Sequence, residues 1–548
     1  MNTHAAQGFD YVVVGGGSAG CVLAARLSEQ SSVSVALLEA GPPDTSVLIH
    51  CPAGLALLAK TGQANWAYQT EPQAGLGGRR GYQPRGKTLG GSSSVNAMVY
   101  ARGVPSDYDH WAAQGNPGWA WADVLPLFKR AEHNERGSDA LHGEGGPLNV
   151  ADLRAPNSFA QAFIDAGIQA GWPHNPDFNG PSQEGVGWYQ VTHRQGERCS
   201  TAKAYLAPAR TRPNLTVITG AHATRLLMEG RQAHGVEYRR ADGSVAQVRA
   251  HREVLLASGA FGSPQLLMLS GIGPADHLRR YGIAVVHDLP GVGTGLHDHP
   301  DVVQVVDVPG ATELFGLSVP GAARLLQAVG LWRRERTGPL TTNFAEAGAF
   351  LRTRPEEPEP DIQLHFVVGK LVDHGRKTVF GHGYSCHVCL LRPRSRGTVR
   401  LASADPMQAP AIDPAFLADP EDLAGMLRGF KVMRRILSQP ALARFGGREL
   451  AASAQVTTDA QIEAFLRART DTIYHPVGTC RMGPGPDDVV DASLRVKGIA
   501  GLRVVDASIM PRIVGGNTNA PTVMIAEKAV DLIRAQSEAP ALSLVRAA

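Results

Sequence analysis

Cysteine is scarce: six residues in a chain of 548. So thin a supply over such a length builds no disulfide framework and favours a reducing compartment, with the cytoplasmic side as the default. Cys386 and Cys389 do form a C-x-x-C in YSCHVCLL. In a β-rich run with no second cysteine pair nearby, that spacing reads as strand packing rather than as a zinc or redox site. Also missing is any stretch of about 18 or more apolar residues, and the start, MNTHAAQGFD, has no basic run followed by an apolar segment. Membrane spanning and secretion are therefore disfavoured. Peripheral attachment to the inner face of the cytoplasmic membrane needs only an exposed apolar patch and stays open. Charge of one sign is lacking too, since 53 basic and 50 acidic residues leave a net +3 and the arginines are scattered. That balance argues against nucleic acid as a partner. What is present is a 43% share of apolar residues, enough to fill the core of two or more layers or domains. No internal repeat at solenoid spacing accompanies it.

Along the chain, Phe9 to Val14 is a short apolar run ending in glycines, and Ser18 to Leu27 follows with small and apolar residues at helical spacing, so strand, tight turn and helix are expected. A second buried strand, Val33 to Leu38, ends at Glu39. Gly235 to Ala257 reads as a meander turning at Asp242-Gly243, and its last strand runs into a helix opened by Pro264. The middle, from about Pro309 to Arg469, mixes strands such as Ile362 to Val368 and His387 to Leu391 with helices such as Asp422 to Leu437, and looks like a second domain. The end returns to the first pattern. Leu502 to Val505 is a strand, and Pro521 opens a helix with Val523, Ala526, Val530 and Ile533 along one face.

The chemistry starts at GGGSAG, where Gly15, Gly17 and Gly20 supply G-x-G-x-x-G between a strand and a helix. The first glycine permits the turn, the second lets backbone approach a pyrophosphate, and the third lets helix and strand pack closely. Glu39, at the end of the second strand, is placed to bind a ribose hydroxyl. The motif alone does not separate NAD from FAD. Arg85 to Gly103, RGKTLGGSSSVNAMVYARG, is too dense in glycine and hydroxyls for a core element and suits a loop approaching a phosphate-bearing or aromatic cofactor.

That segment and GAFGSPQLLMLSGIGP at Gly259 resemble the two family motifs of the glucose-methanol-choline (GMC) flavin oxidoreductases. GVGTGLHDHP at Gly291, TIYHPVGTCRMG at Thr472 and LRVVDASIMPRIVGGNTNAPTVMIAEKA at Leu502 fit the same family in the same order, so the resemblance runs from about Phe9 to Ile533. It implies an α/β fold: a Rossmann-like FAD-binding domain with an interleaved α+β substrate domain containing an antiparallel sheet. Residues 1–308 would be mainly the FAD domain, with substrate-domain segments around 155–197. Residues 309–469 would bind substrate, and 470–540 would return to the FAD domain with the catalytic residues, the family's C-terminal region covering about 390–533. FAD contacts would come from Gly15, Gly17, Ser18, Ala19, Gly20, Glu39, Ala40, Thr88, Gly91, Ser92, Asn96, Ala97, Met98, Val99, Ala223, Asp506, Ala507, Pro521 and Thr522. Val95 stands where some relatives attach flavin through a histidine, so the link is expected to be non-covalent.

The resemblance also implies His475 as the catalytic histidine, with Asn519 as its partner. An imidazole suits removal of an alcohol proton near neutral pH, and Asn519 also suits the N-cap of the last helix. That helix would turn its partial positive end toward the flavin. His297 and His299 lack a third metal ligand and read as structural. Glu346 either lines the substrate cavity or forms a salt bridge, and Arg392, Arg394 and Arg396 read as a solvated turn. The expected reaction is oxidation of a primary, medium-chain aliphatic alcohol, with electrons passed to a quinone or other non-oxygen acceptor. Leu48 to Leu58, apolar with small residues, serves as a cavity mouth or membrane-facing loop for an oily substrate, or as a core helix. Choline dehydrogenase, polyethylene-glycol or furfuryl-alcohol oxidation, an FAD-containing hydroxynitrile lyase and a non-catalytic flavin protein are the alternatives.

Overall fold

Four consecutive buried residues, Tyr11 to Val14 among them valines at three positions, end the strand Gln7–Val14 at the centre of a seven-stranded sheet. A computed structural model describes this protein over residues 7–538. The first six residues of the start and residues 539–540 of the expected C-terminal return lie outside the described residues. Across the sheet the order is Leu215–Thr219, Val35–Glu39, Gln7–Val14, Val245–Leu256, Gln232–Arg240 and Ala221–Glu229, with Leu502–Val504 parallel to the C-terminal end of Val245–Leu256. Its parallel strands are buried on both faces, hence their near-continuous apolar runs. The meander expected after Gly235 has one strand fewer than its sequence suggested. Val245–Leu256 is a single strand of 12 residues that pairs antiparallel with Gln232–Arg240 and parallel with Gln7–Val14.

The direction of these strands positions the site. The loops after Val14, Glu39, Leu256 and Val504 all leave the same edge, the C-terminal ends of parallel strands, where open α/β sheets bind ligands at the point of reversed strand order. The helix after Leu256 is Gly259–Leu269, so Pro264 lies inside it rather than opening it. Proline has no N–H, which frees the Ala260 carbonyl four residues earlier; the Thr479 hydroxyl donates to that oxygen at 2.6 Å, so the break is satisfied. The last helix, Asn519–Glu538, packs along Ser18–Leu27. Its buried Glu527 receives the guanidinium of Arg26 at 2.9 Å and the hydroxyl of Tyr205 at 2.8 Å.

A second sheet of eight strands is antiparallel along its main path, Arg448–Glu449, Pro300–Asp307, Gly381–Leu390, Ile362–Val367, Ala345–Leu351 and Gly185–Trp188. Asp471–Thr472 pairs with its strand Pro300–Asp307. The layer thus draws on segments either side of 309–469, because neighbours in an antiparallel sheet need not be neighbours in sequence. Period-two alternation divides its side chains. Leu364, Phe366, Cys386 and Val388 join Phe163, Met426 and Phe430 under the helices Ser158–Gln169 and Pro420–Leu437. Phe350, Val367 and Cys389 join Val99, Ala101 and Tyr189 on the side of the glycine-rich loop. Cys386 and Cys389, an odd number of residues apart in one strand, therefore belong to opposite faces, which is what strand packing requires of them.

Phe366 is fully buried, its ring stacked on Phe163 at 4.9 Å and tilted against Tyr384 at 5.0 Å. Replacing it with alanine should cost about 3–5 kcal/mol through lost transfer energy and the cavity left behind. A urea midpoint equal to that of the wild type would contradict this account of the layer.

Candidate active site

Backbone approaches at the nucleotide edge leave no room for side chains. Gly15 has φ +101°, and a Cβ there would stand 2.5 Å from the Ala257 carbonyl oxygen. On Gly20 a Cβ would stand 1.8 Å from the Gly15 oxygen. The second glycine loop docks directly on the first: the Gly90 amide donates to Gly16 O at 2.7 Å, and a Cβ on Gly91 would meet Gly17 Cα at 2.7 Å. At Gly17 itself a Cβ would have nothing nearer than 3.9 Å, so the bare backbone faces the cavity. The Glu39 carboxylate accepts from the Gly16 amide at 2.8 Å and the Gly41 amide at 2.7 Å, while burial lifts it to about 7. Asp506, raised by burial, accepts from the Gly259 amide at 2.9 Å and the Ser263 hydroxyl at 2.6 Å. A glycine cradle at helix N-termini and a buried carboxylate at the next strand end fit a dinucleotide: the first suits a pyrophosphate, the second a ribose diol.

From this edge a cavity of about 1060 Å³ runs to the second sheet, where His475 is buried. Its Nε2 accepts from the Asn517 amide nitrogen at 3.2 Å, and its Nδ1 lies 3.1 Å from His299 Nδ1. Those two contacts put the His475 proton on Nδ1 and leave Nε2 as the acceptor. Burial, then His299 and Arg85, hold the imidazole well below its ordinary 6.5, so it is neutral at pH 7. Asp298 fixes the segment that carries it, accepting from the His475 amide at 2.9 Å and from the Thr472 hydroxyl. Half-buried Arg85 donates to the Tyr474 carbonyl at 2.8 Å. Tyr474 has φ +77°, a conformation unfavourable for an aromatic residue, and these contacts hold it there. Two further histidines line the cavity from adjacent strands: His387, whose Nδ1 donates to Asp301 at 2.7 Å, and His365, fully buried with Nδ1 unpartnered.

Family models named GMC oxidoreductase match residues 9–301 and residues 393–526. The chain belongs to the GMC oxidoreductases. It is 49% identical over 527 residues to an alcohol dehydrogenase [acceptor] from Pseudomonas putida, spanning 96% of this chain and 95% of that one. It is 45% identical over 541 residues to an oxygen-dependent choline dehydrogenase from Paraburkholderia phymatum, spanning 97% and 94%. A formate oxidase of Aspergillus oryzae, solved to follow its FAD modification, superposes with a TM-score of 0.89 at 28% identity over 97% of this chain and 98% of that one. This GMC oxidoreductase is accordingly an FAD flavoprotein.

In this GMC oxidoreductase most residues expected to touch the cofactor line the cavity: Gly15, Gly17, Ser18, Ala19, Glu39, Ala40, Gly91, Ser92, Asn96, Ala97, Met98, Val99, Ala223, Asp506, Ala507 and Thr522. Gly20, Thr88 and Pro521 do not reach it. Gly20 packs on Gly15, Thr88 donates to the Pro42 carbonyl at 2.9 Å, and Pro521 sits in the first turn of the last helix. Asn519 is not beside His475. Its Oδ1 accepts from the Ser18 hydroxyl at 2.9 Å, and it neither touches the imidazole nor caps its own helix; Asn517 occupies the place expected of it. Glu346 is buried away from the cavity without an ion pair, accepting from Thr342 and from the Asn157 amide. His297 is structural, bridging the Gly295 carbonyl and the Ile513 amide, whereas His299 touches His475. Arg392 is no solvated residue either, since it pairs with buried Asp107, which also holds the Gly515 amide two residues before Asn517. Leu48 to Leu58 forms cavity wall, with Val47, Leu55 and Leu57 alongside.

Gly20→Ala should lower flavin occupancy at least about tenfold, equivalent to ~1.4 kcal/mol of binding, because the loop must open to relieve the contact with Gly15. The ratio of flavin to protein absorbance in the purified enzyme measures it, and full occupancy would refute the reading of this cradle.

Proposed function

We propose that this enzyme oxidises a primary, medium-chain aliphatic alcohol to the aldehyde and passes the electrons to a quinone-type or other non-oxygen acceptor. One observation carries the chemistry: a buried, neutral imidazole whose acceptor nitrogen meets a side-chain amide donor, at the end of the cavity that reaches the glycine cradle. Gly15, Gly17, Gly91 and Glu39 would hold the dinucleotide, and bound FAD supplies the hydride acceptor. His475 Nε2 takes the hydroxyl proton. Asn517 donates a hydrogen bond to the alcohol oxygen and steadies the charge it gains as that proton leaves. His299 receives the Nδ1–H of His475 and fixes the ring's tautomer. Val95, in the glycine-rich loop, offers no nucleophile, so FAD is held without a covalent bond, and acid precipitation should leave the yellow colour in the supernatant rather than in the pellet.

The lining supports an uncharged substrate. Among the described residues, Glu39 and Asp506 are the acidic side chains that line the cavity, and both belong to the nucleotide edge. Lys60, Arg85, Lys370 and Lys377 line it as well, so a quaternary ammonium would meet cations and no carboxylate. Leu58, Trp332, Leu340, Phe344, Val367 and Ile473 present apolar surface to an alkyl chain. Each methylene buried there is worth about 0.8 kcal/mol, roughly fourfold in binding. Choline is the second reading, favoured by the rings of Trp66, Tyr82, Trp332, Phe344 and Tyr474, which suit a cation. The acceptor reading leans on the Pseudomonas putida relative's name.

His475→Ala should keep FAD and lose about 10²- to 10⁴-fold in kcat. Asn517→Ala should lose about 10²-fold, and Asn519→Ala should leave kcat near wild type. A larger loss at Asn519 than at Asn517 would reverse the assignment. Because His475 lies well below 6.5 and acts in its neutral form, kcat/KM should be level from pH 7 to 6.5 and fall only at lower pH, as the imidazole takes a proton. An acid limb centred above 6.5 would contradict this. Across alcohols of increasing length, kcat/KM should rise and exceed that for choline, with a quinone analogue outpacing oxygen. A maximum at choline would make the second reading the correct one.

A further inference from the structure

The helix Val319–Glu335 is rich in apolar residues yet little covered. Of its 17 residues, VPGAARLLQAVGLWRRE, only Ala328 and Trp332 are buried. Val319 is 87% exposed and Leu326 75% exposed, with Leu325 and Val329 also open to solvent. Apolar surface continues off its N-terminus: exposed Leu317 bridges to Phe380, itself 78% exposed. Contiguous apolar surface of this kind marks an interaction face on a soluble protein. Its location narrows the partner. Leu317, Leu325 and Val329 line the catalytic cavity while exposed to solvent, as does Leu57, so the apolar rim and the apolar channel are continuous.

Charge narrows it further. The helix carries Arg324, Arg333 and Arg334 against a single acidic residue, Glu335 at its last position, and Lys377 lies three residues before Phe380. Among the described residues none of these four cations is in an ion pair. A twofold dimer through this face would set those cations against their own copies. A bilayer with anionic headgroups offers what the face lacks, hydrocarbon for Leu326, Val319 and Phe380 and negative charge for the arginines and lysine.

We propose that the rim formed by this helix and by Leu317 and Phe380 seats the enzyme on an anionic lipid surface, with the cavity mouth turned toward the bilayer. Oily alcohols then reach His475 from the membrane rather than through water; this second clause rests on the substrate reading above, the docking itself does not. The test is flotation of the FAD-loaded enzyme with phosphatidylcholine vesicles, with and without phosphatidylglycerol, compared with the variant Leu326→Glu/Phe380→Glu. Neither residue lines the cavity, so flavin content and kcat on a short, water-soluble alcohol should stay at wild type and report correct folding. Wild type should float with the anionic vesicles, less so at high salt, and the double variant at least about tenfold less. Wild-type enzyme that stays out of the vesicle layer, or a double variant that floats as well as wild type, would overturn the proposal. So would a dimer in solution that the same two substitutions dissociate while vesicles are ignored. Flotation together with kcat/KM insensitive to chain length would uphold the docking surface and remove the substrate reading alone.

Discussion

Two loops some seventy residues apart in sequence press backbone on backbone, and most of the site follows from that contact. Gly91 rests against Gly17, Gly90 donates to Gly16, and Gly41 lies so close to Lys87 that a Cβ would stand 2.1 Å from its carbonyl oxygen. Side chains are excluded at each point, so the loops form one continuous amide-lined wall. The same chain then leaves Ser94 for Val99 and Ala101, which pack with Phe350 and Cys389 of the second sheet. Asn343 donates to the Ala97 carbonyl at 2.8 Å and the Thr192 amide to Met98 O at 2.8 Å. One stretch therefore closes the nucleotide cradle and fastens the substrate layer to it, which fixes the distance between cofactor edge and His475.

Burial without full charge compensation is the second theme. Glu39 and Asp298 are lifted to about 7 and about 6, and His297 and His299 are pushed down to about 3, in each case chiefly by loss of water. The environment thus prefers neutral forms around the reacting atoms. Arg85 is the exception: a half-buried cation held by the Tyr474 carbonyl, Ser92 and the field of Asp298. Its position gives the cavity a standing positive potential where negative charge is to be accommodated, a form of preorganisation that costs stability and spares reorganisation later.

Much of this was legible in the sequence because it rests on local rules. Strand, glycine turn and helix at Phe9 to Leu27 follow from periodicity and from glycine's freedom, and the apolar face of the last helix follows from its spacing. What escaped depends on contacts distant in sequence. Pro264 reads as a helix start unless one knows that Thr479 will satisfy Ala260. Asn517 and Asn519 are equivalent in NTN, and only the packing of Ser18 against the second assigns the first to His475. Arg392 looks like a solvated arginine in a turn until Asp107, 285 residues earlier, arrives beneath it. Glu346 offered two roles and took neither, because a buried hydroxyl and a backbone amide satisfied it.

The strand Val245–Leu256 carries a consequence for how the molecule is made. On a ribosome the chain emerges from its N-terminus, yet this strand's C-terminal end pairs on one side with Gln7–Val14 and on the other with Leu502–Val504, and the first helix waits for Asn519–Glu538 to cover it. The nucleotide layer therefore stays open at one edge until residues 502–538 have been made, with apolar strand surface unsatisfied for that interval. Cofactor capture thus waits on residues 502–538, and a chain cut before Asn519 would leave the helix Ser18–Leu27 without its cover.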